Sequence, residues 1–246
     1  MDNEQRKQLN EILNNPNNKI VFFGGAGVST ESGIPDFRSA DGLYNQETDD
    51  GLSPEFKLSN TYFRMHRRDF YDFYRKHLIQ PEGVKPNAAH YTLAKLEQLG
   101  RLTGIVTQNI DGLHQAAGSK KVFEIHGSVH RNFCTRCGKE YSMSAITEST
   151  GIPVCDVCGE AIKPGIVLYE EQLPADVVRQ AQSAIDEANV MIVGGTSLNV
   201  YPAAAMVGKF DGTLIIMNNS KTPFDSYATM VVRGKIGENF SMLSIK

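Results

Sequence analysis

The sequence has no apolar run long enough to cross a bilayer. Its longest, such as Ile20-Val21-Phe22-Phe23, fall far short of the ~20 residues a membrane helix needs. It has almost no excess of charge: 25 Lys and Arg against 28 Asp and Glu leave −3, with both signs mixed along the chain. That removes any electrostatic case for nucleic acid or an anionic membrane surface as partner. There is no internal repeat and no low-complexity tract. The first residues, Met1-Asp2-Asn3-Glu4-Gln5, are polar and unlike a secretory signal, so the expected compartment is the cytoplasm. Cysteine is scarce, four in 246 residues, and nothing demands more than a monomer. What remains is an ordinary globular composition, 41% hydrophobic and 22% charged, with length for one large domain or one and a half.

Short apolar, β-rich runs alternate with longer helical patterns. Strands are predicted at Lys19–Phe23, Gly104–Thr107, Val122–Ile125, Asn189–Val193, Thr213–Met217 and Thr229–Val232. They lack in/out alternation, as strands covered on both faces do. Asp2 and Gln5 form a capping box for a first helix with Leu9, Ile12 and Leu13 on its apolar stripe. Asn87–Leu99 is a second helix, stopped by Gly100, and Pro174 opens a third that runs to about Ala188. This rhythm predicts an α/β fold with a doubly wound, Rossmann-like parallel sheet. Two stretches break it: Ser39 to about Leu78, a long polar loop followed by an aromatic-rich helix, and Val129 to about Leu168. Both read as insertions that build a smaller module, residues 39–78 with 129–168, leaving 1–38, 79–128 and 169–246 for the large domain. The polar loop from Ser39 offers little to bury and is expected to be mobile when the site is empty.

All the cysteines fall in one pattern, Cys134-x-x-Cys137, seventeen residues, then Cys155-x-x-Cys158. This is the spacing of a tetrahedral four-thiolate zinc site; disulfides or a redox dithiol are the competing readings. Gly138 and Gly159 follow each pair, where a knuckle turn favours positive φ. Four thiolates leave no open coordination position, so such a zinc is structural.

The first strand runs into Gly24-Gly25-Ala26-Gly27-Val28-Ser29-Thr30, a glycine turn before a helix that can admit a pyrophosphate. The dinucleotide fingerprint is incomplete, because Thr30 holds its third glycine place, and a plain tight turn reads equally well. Gly33-Ile34-Pro35-Asp36-Phe37-Arg38 then sets an acid, a ring and a guanidinium together; the bland alternative is an ordered loop with a snorkelling Arg. Thr107-Gln108-Asn109-Ile110-Asp111 stands at a strand end, where open α/β sheets place ligand contacts. Its amides and carboxylate suit ribose hydroxyls and a carboxamide, and Asn109 or Asp111 can equally cap the short helix that follows. His126 ends another strand just before the cysteine module. An imidazole there can act as a general base near neutral pH, although a lone histidine is more often structural.

Taken together, Gly25-Ala26-Gly27-Val28-Ser29, Gly33 to Arg38, Thr107 to Asp111, His126-Gly127, the two cysteine pairs and Gly195-Thr196-Ser197 follow the order seen in sirtuins. The chain resembles that family from about residue 19 to 237. The resemblance implies an NAD-consuming protein-lysine deacetylase with His126 as base and Asn109 and Asp111 as catalytic partners. Ala26, Thr30 and Arg38, with Gly25, Gly27 and Ser29, would line the phosphate end of NAD. Phe37, Asn109, Ile110 and Asp111 would surround nicotinamide, Gln108 would contact its ribose, and Asp36 would also belong to the cofactor site. Gly195, Thr196, Ser197 and Asn218 would hold the adenosine half, with Lys235 and Ile236 near the adenine. The acyl oxygen of lysine would attack the ribose as nicotinamide leaves. His126 would then activate a ribose hydroxyl, and water would release lysine and O-acyl-ADP-ribose.

The resemblance also implies that an acyl-lysine peptide binds as an added strand between Val167–Glu171 and Leu198–Val200. Here the chain departs from the family, whose Phe-Gly-Glu becomes Tyr169-Glu170-Glu171. Tyr71 matches the tyrosine of the branch that removes acidic acyl groups, but Tyr74 stands where that branch has arginine. Without the cation a buried carboxylate would be unpaired, so acetyl or another neutral acyl group is expected. ADP-ribosyl transfer to protein, a non-catalytic NAD-sensing zinc scaffold and hydride transfer are the alternatives. Glu170 adds negative charge beside the peptide, which predicts faster turnover of acetyl-lysine peptides with basic flanks; equal rates for matched basic and acidic peptides would refute this.

Overall fold

The computed structural model describes residues 1–37, 42–45, 50–79 and 83–246. In chain order the strands are β1 (Ile20–Gly24), β2 (Leu102–Thr107), β3 (Val122–Glu124), β4 (Gly127–Cys134), β5 (Glu140–Tyr141), β6 (Ile162–Ile166), β7 (Val190–Gly194), β8 (Thr213–Met217) and β9 (Met230–Val232). The helices are α1 (Asn3–Asn14), α2 (Pro54–Lys57), α3 (Asn60–Met65), α4 (Arg67–His77), α5 (Ala88–Gln98), α6 (Leu113–Ala116), α7 (Ser144–Thr147), α8 (Ala175–Glu187), α9 (Ala203–Gly208) and α10 (Ile236–Ser241).

Each of the six strands predicted from sequence forms, and together they make one parallel sheet in the order β3-β2-β1-β7-β8-β9. The central strand β1 is buried throughout, which is why its sequence is continuously apolar. Phe22 packs with Leu9, Leu93 and Phe240 on one face; Phe23 packs with Ile185, Ala203 and Val207 on the other. Each such side chain contributes about 1.5–3 kcal/mol by leaving water. The Asp2 cap read from sequence is present, and the structure adds one at Asn87. The Asp2 carboxylate accepts from the Gln5 amide at 2.8 Å, and Asn87 Oδ1 accepts from the Ala89 amide at 3.0 Å.

The chain runs outward from β1 to β2 and β3, then returns to β7 on the other side of β1. The topological switch therefore lies between β1 and β7, where open α/β sheets bind their ligands. The pairing aligns Glu124, Thr107, Gly24, Gly194, Met217 and Val232 in one row across the sheet. Each predicted cofactor segment, and His126, follows one of these residues.

One expectation fails locally. After the glycine turn the chain makes two 3-10 turns, Ala26–Val28 and Thr30–Ser32, and no α-helix. Gly33, at φ 90°, and Pro35 end the segment before an α-helical nucleus can grow. The predicted long loop is interrupted by a 3-10 turn, Leu43–Asn45, and by α2 and α3; residues 38–41, with Arg38, and 46–49 lie outside the described residues.

The two insertions meet. β5-β4-β6 form a second, antiparallel sheet. Tyr62, Phe63, Phe70, Tyr71 and Tyr74 from α3 and α4 share a core with Val129, Ile166 and Leu168. Tyr71, matched by sequence to an acyl-binding tyrosine, is fully buried there and donates to the Ile162 carbonyl at 2.7 Å. Tyr74 is buried beside it. Arg75 is committed to the carbonyls of Ile146 and Gly151, at 2.9 and 2.6 Å. Among the described residues, then, Tyr71 and Tyr74 belong to the core of the module.

Beneath the sheet face that carries Phe22, His90 and His114 are buried with ring centroids 4.7 Å apart. Burial holds His90 down to about 4 against the opposing pull of Asp111. It holds His114 well below its ordinary value, helped by His90. Both fold as neutral imidazoles, whereas the unfolded chain protonates them near pH 6.5. The stability they allow is complete above that pH and is lost as pH falls through the window from about 6.5 to about 4. Urea midpoints should drop across that window, and His114→Phe should flatten the slope.

Candidate active site

The glycine turn and the loop after β7 touch through their backbones. The Gly27 amide donates to the Gly195 carbonyl at 2.8 Å, and the Gly25 amide to the Gly194 carbonyl at 3.2 Å. A Cβ on Gly27 would lie 2.8 Å from Gly195 Cα, and one on Gly195 would lie 2.3 Å from the Val28 nitrogen. Gly195 also sits at φ 58°. Space as well as φ therefore demands glycine at this meeting of β1 and β7.

Behind the turn a row of polar side chains is threaded together. Ser29 Oγ donates to Asp111 Oδ2 at 2.6 Å, and Asn109 Nδ2 donates to Ser29 Oγ at 3.0 Å. The other Asp111 oxygen accepts from the Leu113 amide at 2.9 Å, a turn that leads into α6, whose N-cap is Gly112 and not Asp111. Ser29, Asn109 and Asp111 are all buried. Hydrogen-bonded in this way, they form a rigid polar wall at the end of β2. Thr30 Oγ1 donates to the Gly27 carbonyl at 3.1 Å. Phe37 and Ile110 are half-buried against the small module's core, with Phe37 5.3 Å from the Tyr44 ring. The Asp36 carbonyl accepts from the Leu43 amide at 3.0 Å.

His126 stands where the two sheets meet, between β3 and β4. Its Nδ1 lies 3.1 Å from the Gln108 carbonyl. A carbonyl only accepts, so Nδ1 carries the proton and Nε2 is the basic nitrogen of the neutral ring. The His126 carbonyl accepts from the Val167 amide at 2.9 Å. Gln108 Nε2 in turn donates to Thr196 Oγ1 at 3.0 Å, and that oxygen accepts from the Leu198 amide at 3.3 Å. A continuous hydrogen-bonded path thus runs from Val167 through His126, Gln108 and Thr196 to Leu198. It joins the two segments predicted to flank a peptide, with the candidate base at its centre.

Those segments share a second property. Glu170, φ 73°, and Leu198, φ 56°, are the two non-glycine residues with positive φ among the described residues. Backbone strain of this kind collects at functional sites. Val200 sits at the base of α9, where its carbonyl accepts from the Ala204 amide at 2.9 Å.

The adenosine-side candidates lie further along the same edge. The Asn218 amide donates to the Val232 carbonyl at 3.1 Å, and its Nδ2 to the Ser220 carbonyl at 3.0 Å. Ser197 Oγ accepts from the Asn199 amide at 3.4 Å. Lys235 is exposed at the start of α10, and Ile236 is buried against Gly194. Sequence reasoning missed Glu31, whose carboxylate accepts from the Gly237 and Glu238 amides and so ties the glycine turn to α10. No local pattern marks it, because its partners lie some two hundred residues away. It also missed Lys163, a buried ammonium 3.0 Å from Glu171. Burial pushes the Lys163 pKa down, and Glu171 beside it pulls the other way.

The cysteines form the second centre. Their four sulfurs lie within 4.8 Å of one another, with Cys134 to Cys158 at 3.3 Å and Cys137 to Cys155 at 3.6 Å. Disulfide bonds are excluded, since all four are free. Tetrahedral Zn–S bonds of about 2.3 Å would put the sulfurs ~3.8 Å apart, so the donor set fits zinc. The Arg136 and Cys137 amides approach Cys134 Sγ at 3.4 and 3.5 Å, and the Val157 amide approaches Cys155 Sγ at 3.4 Å, as knuckle turns require. Gly138 and Gly159 take positive φ, 71° and 72°.

A model of the Sir2 family matches residues 25–202. The NAD-dependent protein deacetylase of Clostridium acetobutylicum is 54% identical over 221 residues, 89% of this chain and 90% of the relative. That of Clostridium perfringens is 52% identical over 240 residues, 97% of each. A solved Sir2 structure with a deacetylated p53 peptide and 3′-O-acetyl ADP-ribose superposes with a TM-score of 0.87, at 40% identity over 96% of each chain. A Sir2 complex with p53 peptide and NAD+ superposes at 0.83, also 40% identical, over 96% of this chain and 95% of that one. Sequence, site geometry and fold agree, and this chain belongs to the Sir2 family.

Proposed function

We propose that this chain is an NAD-dependent deacetylase of protein lysines. It releases nicotinamide, free lysine and O-acetyl-ADP-ribose, with NAD consumed as co-substrate. One observation carries the reading: His126 sits on the hydrogen-bonded path that joins the two strained segments, at the carboxyl edge of the sheet beside the switch point. Relatives named as NAD-dependent protein deacetylases, over nearly the whole chain, support it.

In this reading His126 Nε2 is the base that takes a ribose hydroxyl proton, with the Gln108 carbonyl fixing the tautomer. Asn109, Ile110, Asp111, Asp36 and Phe37 enclose the nicotinamide end, and Ser29 locks the two polar side chains in place. Gly25, Ala26, Gly27, Thr30 and Arg38 take the phosphates. Gly195, Thr196, Ser197 and Asn218 take the adenosine, with Lys235 and Ile236 at the adenine. The acyl-lysine peptide lies as an added strand between residues 167–171 and 198–200. Phe37 and Ile110, seated against the small module, exclude water from the reacting centre. Residues 1–38, 79–128 and 169–246 form the cofactor domain, and 39–78 with 129–168 the smaller one. Among the described residues no helix is long and apolar enough to cross a membrane, and the cytoplasm is the proposed compartment.

Cys134, Cys137, Cys155 and Cys158 would hold zinc as four thiolates. Such an ion supplies cross-linking of the β4 and β6 ends and no catalysis.

Mass spectrometry of the protein with NAD and an acetyl-lysine peptide should show peptide deacetylation matched by nicotinamide and O-acetyl-ADP-ribose. His126→Ala should lower the rate by at least about 100-fold, the scale of a lost general base. ADP-ribose left on protein, with the peptide unchanged, would instead indicate ADP-ribosyl transfer. Stripping zinc with a chelator, or Cys158→Ser, should lower the melting temperature and loosen 129–168 in hydrogen exchange. A chain stripped of metal with unaltered melting and exchange would refute the structural role.

A further inference from the structure

Where the family has glycine, Glu170 occupies the third position of a four-residue turn, closed by the Glu171 amide donating to the Leu168 carbonyl at 3.0 Å. Positive φ at that position is what a type II turn requires, and glycine supplies it without strain. A glutamate at φ 73° does not, so the surroundings must hold it.

They do so through its side chain. Glu170 Oε2 accepts from the Thr61 amide at 2.9 Å and from Thr61 Oγ1 at 2.7 Å. The Thr61 amide lies in the first turn of α3, where amides lack helical partners, and Ser59 Oγ takes the next one, that of Tyr62, at 3.0 Å. The rest of the turn is equally committed. The Tyr169 amide donates to the Leu58 carbonyl and its carbonyl accepts from the Asn60 amide, both at 3.0 Å. Glu171 Oε2 accepts from the Leu168 amide at 2.9 Å and pairs with Lys163 at 3.0 Å. Among the described residues the Glu170 backbone N–H and C=O make no hydrogen bond within the chain. Its peptide group is thus left unpaired within the chain while its carboxylate is anchored at the surface to the first turn of α3.

We infer that Glu170 is a positioning residue for the acyl-lysine peptide: its carboxylate, held by Thr61, fixes the 168–171 turn so that the Glu170 backbone can pair with the incoming strand. This rests on the deacetylase reading above. It makes the placement of α3 in the helical insertion a determinant of peptide affinity. It also assigns the charge at position 170 to a structural bond first and to peptide attraction second.

The test compares Glu170→Ala, Glu170→Gln, Glu170→Gly and Thr61→Val in the zinc-loaded 246-residue chain, with zinc content and melting temperature confirming the fold. The readouts are KM for an acetyl-lysine peptide, kcat, KM for NAD, and amide exchange of residues 59–65. Glu170→Ala keeps the strain and loses the anchor. It should raise peptide KM about tenfold while kcat and the KM for NAD stay within about twofold. Glu170→Gln keeps an acceptor oxygen and should recover most of the loss. Glu170→Gly should fall between the two, and Thr61→Val, which keeps its amide, should do the same. Exchange at residues 59–65 should speed up in the alanine variant and not in the glutamine variant. Unchanged peptide KM in Glu170→Ala, an equal loss in Glu170→Gln, or a parallel fall in kcat would overturn the inference. A wild-type chain that releases no nicotinamide with the peptide would overturn the deacetylase reading itself, and the inference with it.

Discussion

The molecule depends on the approach of two backbones, Gly27 and Gly195, across the switch between β1 and β7. The amide of one reaches the carbonyl of the other at 2.8 Å, and neither position has room for a Cβ. Because β1 is buried on both faces and in register with β2 and β7, that contact also sets the height of the neighbouring strand ends. Gln108 bonds to the Gly24 carbonyl on one side and to Thr196 on the other, and so bridges β2 to the glycine contact. His126 then hangs from the Gln108 carbonyl. The candidate base is positioned through backbone geometry that begins with two missing side chains.

The small module contributes in a different currency. Its aromatic core is built from α3 and α4 on one insertion and from β4 and β6 on the other, so neither insertion has a complete core alone. The four cysteines close the far end of that unit, and Arg67 pairs with Glu160 next to them at 2.9 Å. Near its other end, Leu58 and Asn60 bind the backbone of Tyr169, which couples the helical insertion to the edge beside His126. Among the described residues, Glu170 and Leu198 are the two non-glycine positions at positive φ, where the chain breaks the local preference of its residue types.

Much of this was legible in the chain. Continuous apolar runs mark strands covered on both faces, and all six appear within a residue or two of their predicted bounds. The capping signal at Asp2 acts over three residues and needs no tertiary context. The cysteine spacing carries its own geometry, because two knuckles of that length can wrap one ion. The misreadings have equally specific causes. Gly33 and Pro35 cut short the helix expected after the glycine turn. Glu31 and Lys163 leave no local signature, as each acts on partners that only the fold brings near.

By itself the sequence determined the six strands of the large sheet, their parallel class, the four-cysteine centre and the strings that converge on the site, because all of these follow from periodicity, caps and short spacings. The tertiary structure alone decided which carboxylates bind within the protein, which nitrogen of His126 carries the proton, and where the backbone is held under strain. Those properties depend on hydrogen bonds between segments far apart in the chain, and a linear pattern holds no record of distance in space.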